Sequence, residues 1–356
     1  MNRHTLYGYQ KSGFIALTIA LLMNSLSVSA KPLPEKDFLT APMGNGVYEL
    51  AYDASQNVLF AASAPSFDKD KTDGLVYKLN PETLKTTGKI TTERRAFATV
   101  LDEENHILYI GNTLEGSVTL IDIRTDKEIK TVQLSDISNP KEIVHTREMA
   151  LDKKRQRLYV SGVTQKGIIW VIDTQKQQHI ATIENMGEYP TGLTIDEGKG
   201  RVYAVNGSGE FITLDASDNK IISRVKVDPQ KKHFFLNIAL DNKKERAFIT
   251  DPDLPDVLVV SLKDGKIIDR IKVINSLAVM YNSGRNEVYI THRNAQLISV
   301  VDGDTYKVKA SIATSALPNS LALSADGHTL YASVKQGEKE IGKKPDYIIK
   351  VNLEKI

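Results

Sequence analysis

Along most of this chain, short apolar bursts alternate with polar turn residues, and no long stretch keeps the 3.6-residue period of an amphipathic helix. The segment Glu148 to Asp173, EMALDKKRQRLYVSGVTQKGIIWVID, shows the unit. Its three apolar runs, rich in β-branched and aromatic residues and separated by polar turns, predict a small antiparallel meander. Alone, such a meander cannot bury its faces, so it requires neighbouring copies.

The copies are present. An acidic or polar turn residue is followed seven positions later by an aromatic at Asp53/Phe60, Asp102/Tyr109, Asp152/Tyr159, Asp196/Tyr203, Asp241/Phe248, Asn282/Tyr289 and Ser324/Tyr331. Successive aromatics lie 49, 50, 44, 45, 41 and 42 residues apart, the period of four-stranded propeller blades. A third strand in each copy closes on Asn80, Asp122, Asp173, Asp215, Ser261, Asp302 or Asn352. The prediction is an all-β, seven-bladed β-propeller of four-stranded antiparallel blades. In blade two the strands are expected at Phe97 to Leu101, Leu108 to Gly111, Val118 to Asp122 and Glu128 to Leu134. The last blade lacks an outer strand after Ile348 to Leu353, and Asp37 to Thr40 is expected to supply it and close the ring.

Residues 1 to 30 carry Arg3 and Lys11, no acidic residue, an apolar core from Phe14 to Met23, and small residues at Val28-Ser29-Ala30. This is the pattern of a secretory signal peptide cleaved after Ala30, too short to span a bilayer. The expected product is residues 31 to 356, a single propeller domain that is exported, not inserted in a membrane and most simply periplasmic. Without the leader, 44 basic and 44 acidic residues remain, so attraction for an anion must come from a local patch. The absence of cysteine excludes thiolate metal sites, iron–sulfur clusters and covalent c-type haem.

The segments LALSADGHTLYAS (Leu321 to Ser333) and LYVSGV (Leu158 to Val163) resemble the YVTN-type β-propeller repeat. With the leader, the THR run at Thr291 to Arg293 and the HFF run at His233 to Phe235, the whole mature chain resembles the periplasmic, iron-regulated, DNA-binding seven-bladed propellers of enterobacteria. That resemblance implies single-stranded DNA as partner, bound at one face of the ring, with no established enzymatic activity.

In such a ring the loops entering the inner strands and those joining second to third strands share one face around the channel, the default place for function. The entering loops carry Arg94, Arg95 and Phe97 before blade two; Lys141, His145 and Arg147 before blade three; Tyr189 before blade four; Lys231, Lys232, His233 and Phe234 before blade five; and Asn319 before blade seven. The second-to-third loop of blade six adds His292 and Arg293. Cations for phosphates interleaved with aromatics for base stacking suit a single strand. Phe97 and Phe235 equally suit wedges between blades. Long second-to-third loops, Ala64 to Gly74 in blade one and Lys335 to Asp346 in blade seven, are expected to meet on this face, bringing Lys69, Lys71, Lys335, Lys339, Lys343 and Lys344. The basic run Lys153, Lys154, Arg155 and Arg157 falls on the opposite face and reads as a solvated hairpin.

Other chemistries have less support. His145, His233 and His292 share a face but lack ligand spacing, so no metal is expected. Glu49 and Glu148 hold equivalent inner-strand positions and would serve as an acid–base pair if they met. No nucleophile elbow, Walker loop or dinucleotide fingerprint occurs, no cofactor is expected, and Asn206-Gly207-Ser208-Gly209 reads as a tight strand connection. The expectation is a monomeric binding protein rather than an enzyme. A lactonase-like or quinone-dependent propeller enzyme and a peptide-binding scaffold are the alternatives.

Overall fold

Six of the seven innermost strands end on the polar residue that marks the repeat, and that side chain folds the turn after it. In the computed structural model, which describes residues 31–68 and 70–356, Asp53 Oδ1 accepts the backbone N–H groups of Ser55 and Gln56. Asp102, Asp152, Asp196 and Asp241 each accept the N–H three residues on, and Asn282 accepts those of Gly284 and Arg285. These are Asx turns, in which a short acceptor replaces the missing strand partner. The residue four beyond the acceptor is left-handed at Asn57, His106, Gln156, Gly200, Glu245 and Asn286, which turns the chain back into the second strand.

The third strands end in the same way. Asn80, Asp122, Asp173, Asp215 and Asp302 all accept backbone N–H groups from the turn to the outer strand, Ser261 Oγ does so from Lys263, and Asn352 accepts that of Glu354 in the 3-10 turn that follows it. The period seen in the sequence is therefore a period of turn chemistry as well as of burial.

Seven antiparallel sheets result, each with the inner-to-outer order expected of a blade. In blade two the strands are Ala98–Asp102, Ile107–Asn112, Ser117–Asp122 and Lys127–Gln133, within a residue or so of the prediction. The repeat aromatics are almost wholly buried. Seven apolar clusters line the seven blade-to-blade interfaces, and each contains one repeat aromatic together with side chains of the next blade. Tyr331 of blade seven, for example, joins Val47, Leu59 and Leu79 of blade one. Burying an aromatic at each interface supplies the main cohesion of the ring.

The ring closes as the sequence implies. Phe38–Pro42 pairs antiparallel with Tyr347–Asn352, Phe38 opposite Val351 and Pro42 opposite Tyr347. An unexpected addition is Lys31–Pro32, which runs parallel to Ala310–Ser311 at the outer edge of blade six. The expected leader, residues 1 to 30, and Lys69 lie outside the described residues. Among the described residues no helix is long and apolar enough to cross a membrane.

The fold has two unlike faces. The turn face carries the inner-to-second and third-to-outer turns. The loop face carries the chain entering each blade and the second-to-third connections, including both long loops.

Candidate functional site at the channel mouth

Two repeat positions in the second strand shape the loop face. Two residues beyond the aromatic, the hydroxyls of Ser161, Thr250, Thr291 and Ser333 accept the backbone N–H groups of Glu148, Asn237, Ala278 and Ser320 at 2.9–3.1 Å. Pairing of inner and second strands slips at this level, between Val47 and Leu50, Thr146 and Met149, Pro190 and Gly192, and Pro318 and Leu321. A bulge breaks the in–out alternation of a strand and re-aims its side chains. Neighbours such as Arg147 and Glu148, or Asn319 and Ser320, therefore line the channel together.

Three residues beyond the aromatic, a buried polar side chain ties down the loop entering a blade. Asn112 donates to the carbonyl of Arg95, and Asn206 to that of Met186. Asp251 accepts from His233 Nδ1 at 2.9 Å. His292 bridges the carbonyls of Ile274 and Asn275 to Ser299 Oγ.

The channel holds a cavity of about 270 Å³, with Glu49, Arg147, Glu148, Asn237, Asn319 and Ser320 on its walls. Leu50, Leu193, Ile238, Val279 and Leu321, one residue further along their strands, border it too, and all five are buried in the apolar clusters between blades. Glu49 Oε2 accepts the Thr99 N–H at 2.9 Å, and Oε1 lies 3.8 Å from Arg147 Nη1. Blade two places only the Ala98 methyl at the equivalent position, which leaves room for residues of blades one and three to meet. Burial and the Glu148 charge push the Glu49 carboxyl well above the usual range, against Arg147 and the Thr99 N–H. Glu148, whose Oε2 accepts from Asn237 Nδ2 at 3.0 Å, is also pushed up by burial, against Arg147 and Asn237.

Above this pair, cations gather around Tyr48. Lys335 Nζ sits 3.4 Å from the centroid of the Tyr48 ring, a cation–π contact, and donates to the Val47 carbonyl. Burial pushes its ammonium down to about 8; Asp346 opposes that shift and Arg293 adds to it. The Arg293 guanidinium is also pushed down by burial, opposed by Tyr48 and reinforced by Arg147, and its buried Nε has no hydrogen-bond partner. Among the described residues, neither Arg293 nor Lys335 forms a salt bridge, and Arg147 has only the 3.8 Å approach to Glu49. Beside them is a row of aromatics. Tyr48 and Phe97 lie 4.6 Å apart between ring centroids, and Phe97 lies 6.2 Å from Phe67, which is 58% exposed.

The residues singled out from sequence divide into three groups. Arg147, Arg293, Asn319 and Phe97 come together at the mouth, although Phe97 is itself largely buried between Tyr48 and Phe67. A second group lies around the rim: Tyr189 and Phe234 pair at 6.3 Å, Lys231, Lys232 and His145 are exposed, and Lys231 is 3.5 Å from Asp228. Internal bonds occupy the third. Arg94 donates to Gln133; buried Arg95 pairs with Glu115 at 2.6 Å and donates to the carbonyls of Ser66 and Asp68, which holds the blade-one loop; His233 and His292 are buried in the bonds above. The three histidines do not converge, and among the described residues no group of three His, Cys, Asp or Glu could hold a metal ion.

The long loops also differ from expectation. The blade-seven loop folds over Asn45 and Gly46 at the start of blade one, fixed by Asp346 accepting the N–H groups of Gly46 and Val47. The blade-one loop leans instead toward blade two, through Arg95. Tyr48 was not evident from sequence, and neither was the clustering of Lys335 with Arg147 and Arg293. The signal was available at two adjacent repeat positions, where Tyr48-Glu49 and Arg147-Glu148 stand out against small or neutral residues elsewhere.

Residues 46–341 match the family model described as YNCE-like beta-propeller. The chain is 40% identical to YncE of Salmonella typhi, over 94% of this chain and 96% of that protein. It is 38% identical to YncE of Escherichia coli strain K12, over 99% of this chain and all of that protein. Among solved structures it is similar to U3-55K, with a TM-score of 0.71 at 11% identity over 90% of this chain and 99% of that one. A chain of Kuenenia stuttgartiensis hydrazine synthase gives 0.67 at 17% identity over 81% and 92%. At such identities these two structures share the fold alone.

Proposed function

The chain belongs to the YNCE-like β-propeller family, and from that premise we propose that it binds single-stranded nucleic acid, most simply DNA, at the mouth of its channel. The observation that carries this reading is the row Tyr48, Phe97 and Phe67 beside three cations, Arg147, Arg293 and Lys335, that lack close carboxylate partners. A single strand offers stackable base faces and a phosphate for each nucleotide, and this surface offers a partner for each. Tyr189, Phe234, Lys231 and Lys232 extend the same chemistry along the rim toward blades four and five. The leader-like N-terminal sequence supports an activity outside the cytoplasm. Fluorescence anisotropy of a labelled oligonucleotide, titrated with residues 31–356 at low and moderate salt, tests the reading. Micromolar or tighter binding that weakens with salt and favours single over double strands is expected; no binding at low salt would remove it.

A second reading, a lactonase-like hydrolase, is favoured by one observation: Glu49 and Glu148 share the cavity, and burial together with the Glu148 charge raises the proton affinity of Glu49. Lactone hydrolysis by the parent, lost in both Glu49→Gln and Glu148→Gln, would promote it. An inactive parent would end it.

A further inference from the structure

Taking the mouth as a nucleic-acid site, we propose that its three cations hold a phosphate monoester, at a strand end or on a free nucleotide, in preference to the phosphodiester of an internal nucleotide. The cavity is small, about 270 Å³, and is ringed by residues of all seven blades. An internal nucleotide seated in it has to leave along two chain directions, a terminal nucleotide along one.

Charge points the same way. A diester carries one negative charge, whereas a monoester carries about −1.5 to −2 near neutral pH and has three strong acceptor oxygens. Arg147, Arg293 and Lys335 come from blades three, six and seven and act on one another or on Tyr48 between them, so their fields overlap. Concentrating three like charges is unfavourable until an anion arrives, and a dianion relieves it better than a monoanion. Buried Arg293 Nε, which has no partner among the described residues, is a donor in need of an acceptor. Glu49 lies 3.8 Å from Arg147 and is held toward its neutral form by burial and by Glu148. It therefore offers an O–H donor to an oxygen held by that arginine, where an ionised carboxylate would repel it. Asn319 and Ser320 on the same walls are left for a sugar.

The test compares four oligothymidylates carrying one internal fluorophore: 5′-phosphorylated, 3′-phosphorylated, hydroxyl at both ends, and covalently closed into a circle. At least one phosphorylated strand is expected to bind about tenfold tighter than the hydroxyl strand and the circle, as an added charge-assisted contact implies. Thymidine monophosphate as competitor separates the sources. Displacement at concentrations where thymidine is inert means that one nucleotide suffices, and no displacement assigns the site to a strand end with stacked neighbours. Equal affinity for all four strands would overturn the monoester and leave the nucleic-acid reading standing. No binding by any strand or by the monophosphate would overturn both. Arg293→Gln and, separately, Lys335→Gln should erase the preference, while Lys154→Gln on the turn face should leave it intact. A preference that survives both mouth variants would also overturn the assignment.

Discussion

The two faces of the ring carry similar residue types and use them differently. On the turn face, every arginine or lysine that sits close to a repeat carboxylate is paired with one: Arg155 with Asp152 at 3.1 Å, Arg246 with Asp241 at 2.9 Å, Arg285 with Glu287, and Lys199 and Lys244 across neighbouring blades with Glu245 and Asp304, while Lys153, Lys154 and Lys243 extend into solvent. Arg157, part of the densest basic run in the sequence, spends its donors on the Ala216 carbonyl and Asn219 of the next blade. On the loop face, among the described residues, Arg293 and Lys335 have no such partner and Arg147 has only a 3.8 Å approach to Glu49, while two carboxylates share a cavity. Repetition with internal pairing marks the scaffold. Departure from the repeat, with charge left over, marks the site.

That contrast can be broken most forcefully from the scaffold side. Arg246→Met removes one partner of a buried ion pair and should cost about 3–5 kcal/mol of stability, read from the denaturant midpoint, with oligonucleotide affinity unchanged once folded. The reciprocal experiment, Arg147→Gln, Arg293→Gln and Lys335→Gln together, should weaken single-strand binding about a hundredfold and lower the slope of log affinity against log salt by about two. Its denaturation midpoint should stay level or rise, because three mutually repelling charges are gone. A fall in both affinity and stability would erase the distinction between the faces.

A smaller effect sharpens the stacking part. Phe67→Ala, at a side chain 58% exposed, should leave stability alone and cost about 1–3 kcal/mol of binding, the range for one base–aromatic contact. The smallest expected effect is on pH dependence. Burial pushes the Lys335 ammonium down to about 8, so its charge is lost above that pH, while Glu49, held up by burial, turns negative as pH rises. Both changes disfavour an anion, so affinity should fall severalfold between pH 7 and pH 9, and Lys335→Arg should flatten that fall. A flat profile in the parent would remove Lys335 from the site.

Much of this architecture was legible in the sequence because its determinants are local. An Asx turn and the aromatic seven residues later lie within one hairpin, so each blade announced itself, as Asp152 and Tyr159 did in blade three. Even the closing strand, Phe38–Pro42, followed from counting strands. The site was only partly legible, since Tyr48, Arg147, Arg293 and Lys335 come from four blades and meet only when the ring closes. The adjacent pairs Arg94-Arg95 and His233-Phe234 drew attention because they are contiguous. The structure gives Arg95 to Glu115 and His233 to Asp251, partners 20 and 18 residues away whose proximity depends on the loop fold.

The clasp between Phe38–Pro42 and Tyr347–Asn352 also orders events in time. During synthesis the segment 38–42 emerges among the first of the propeller residues and waits, an unpaired strand edge, until nearly all of the remaining chain has followed. Contacts of such long sequence separation form slowly, and an exposed edge is open to pairing with the wrong chain in the interval. The mouth around Tyr48 inherits the delay, because Asp346 and Lys335, which fix that end of blade one, arrive only with the last blade. A nascent chain therefore has six of its blades before it has the mouth around Tyr48, and acquires the seventh blade and the mouth together.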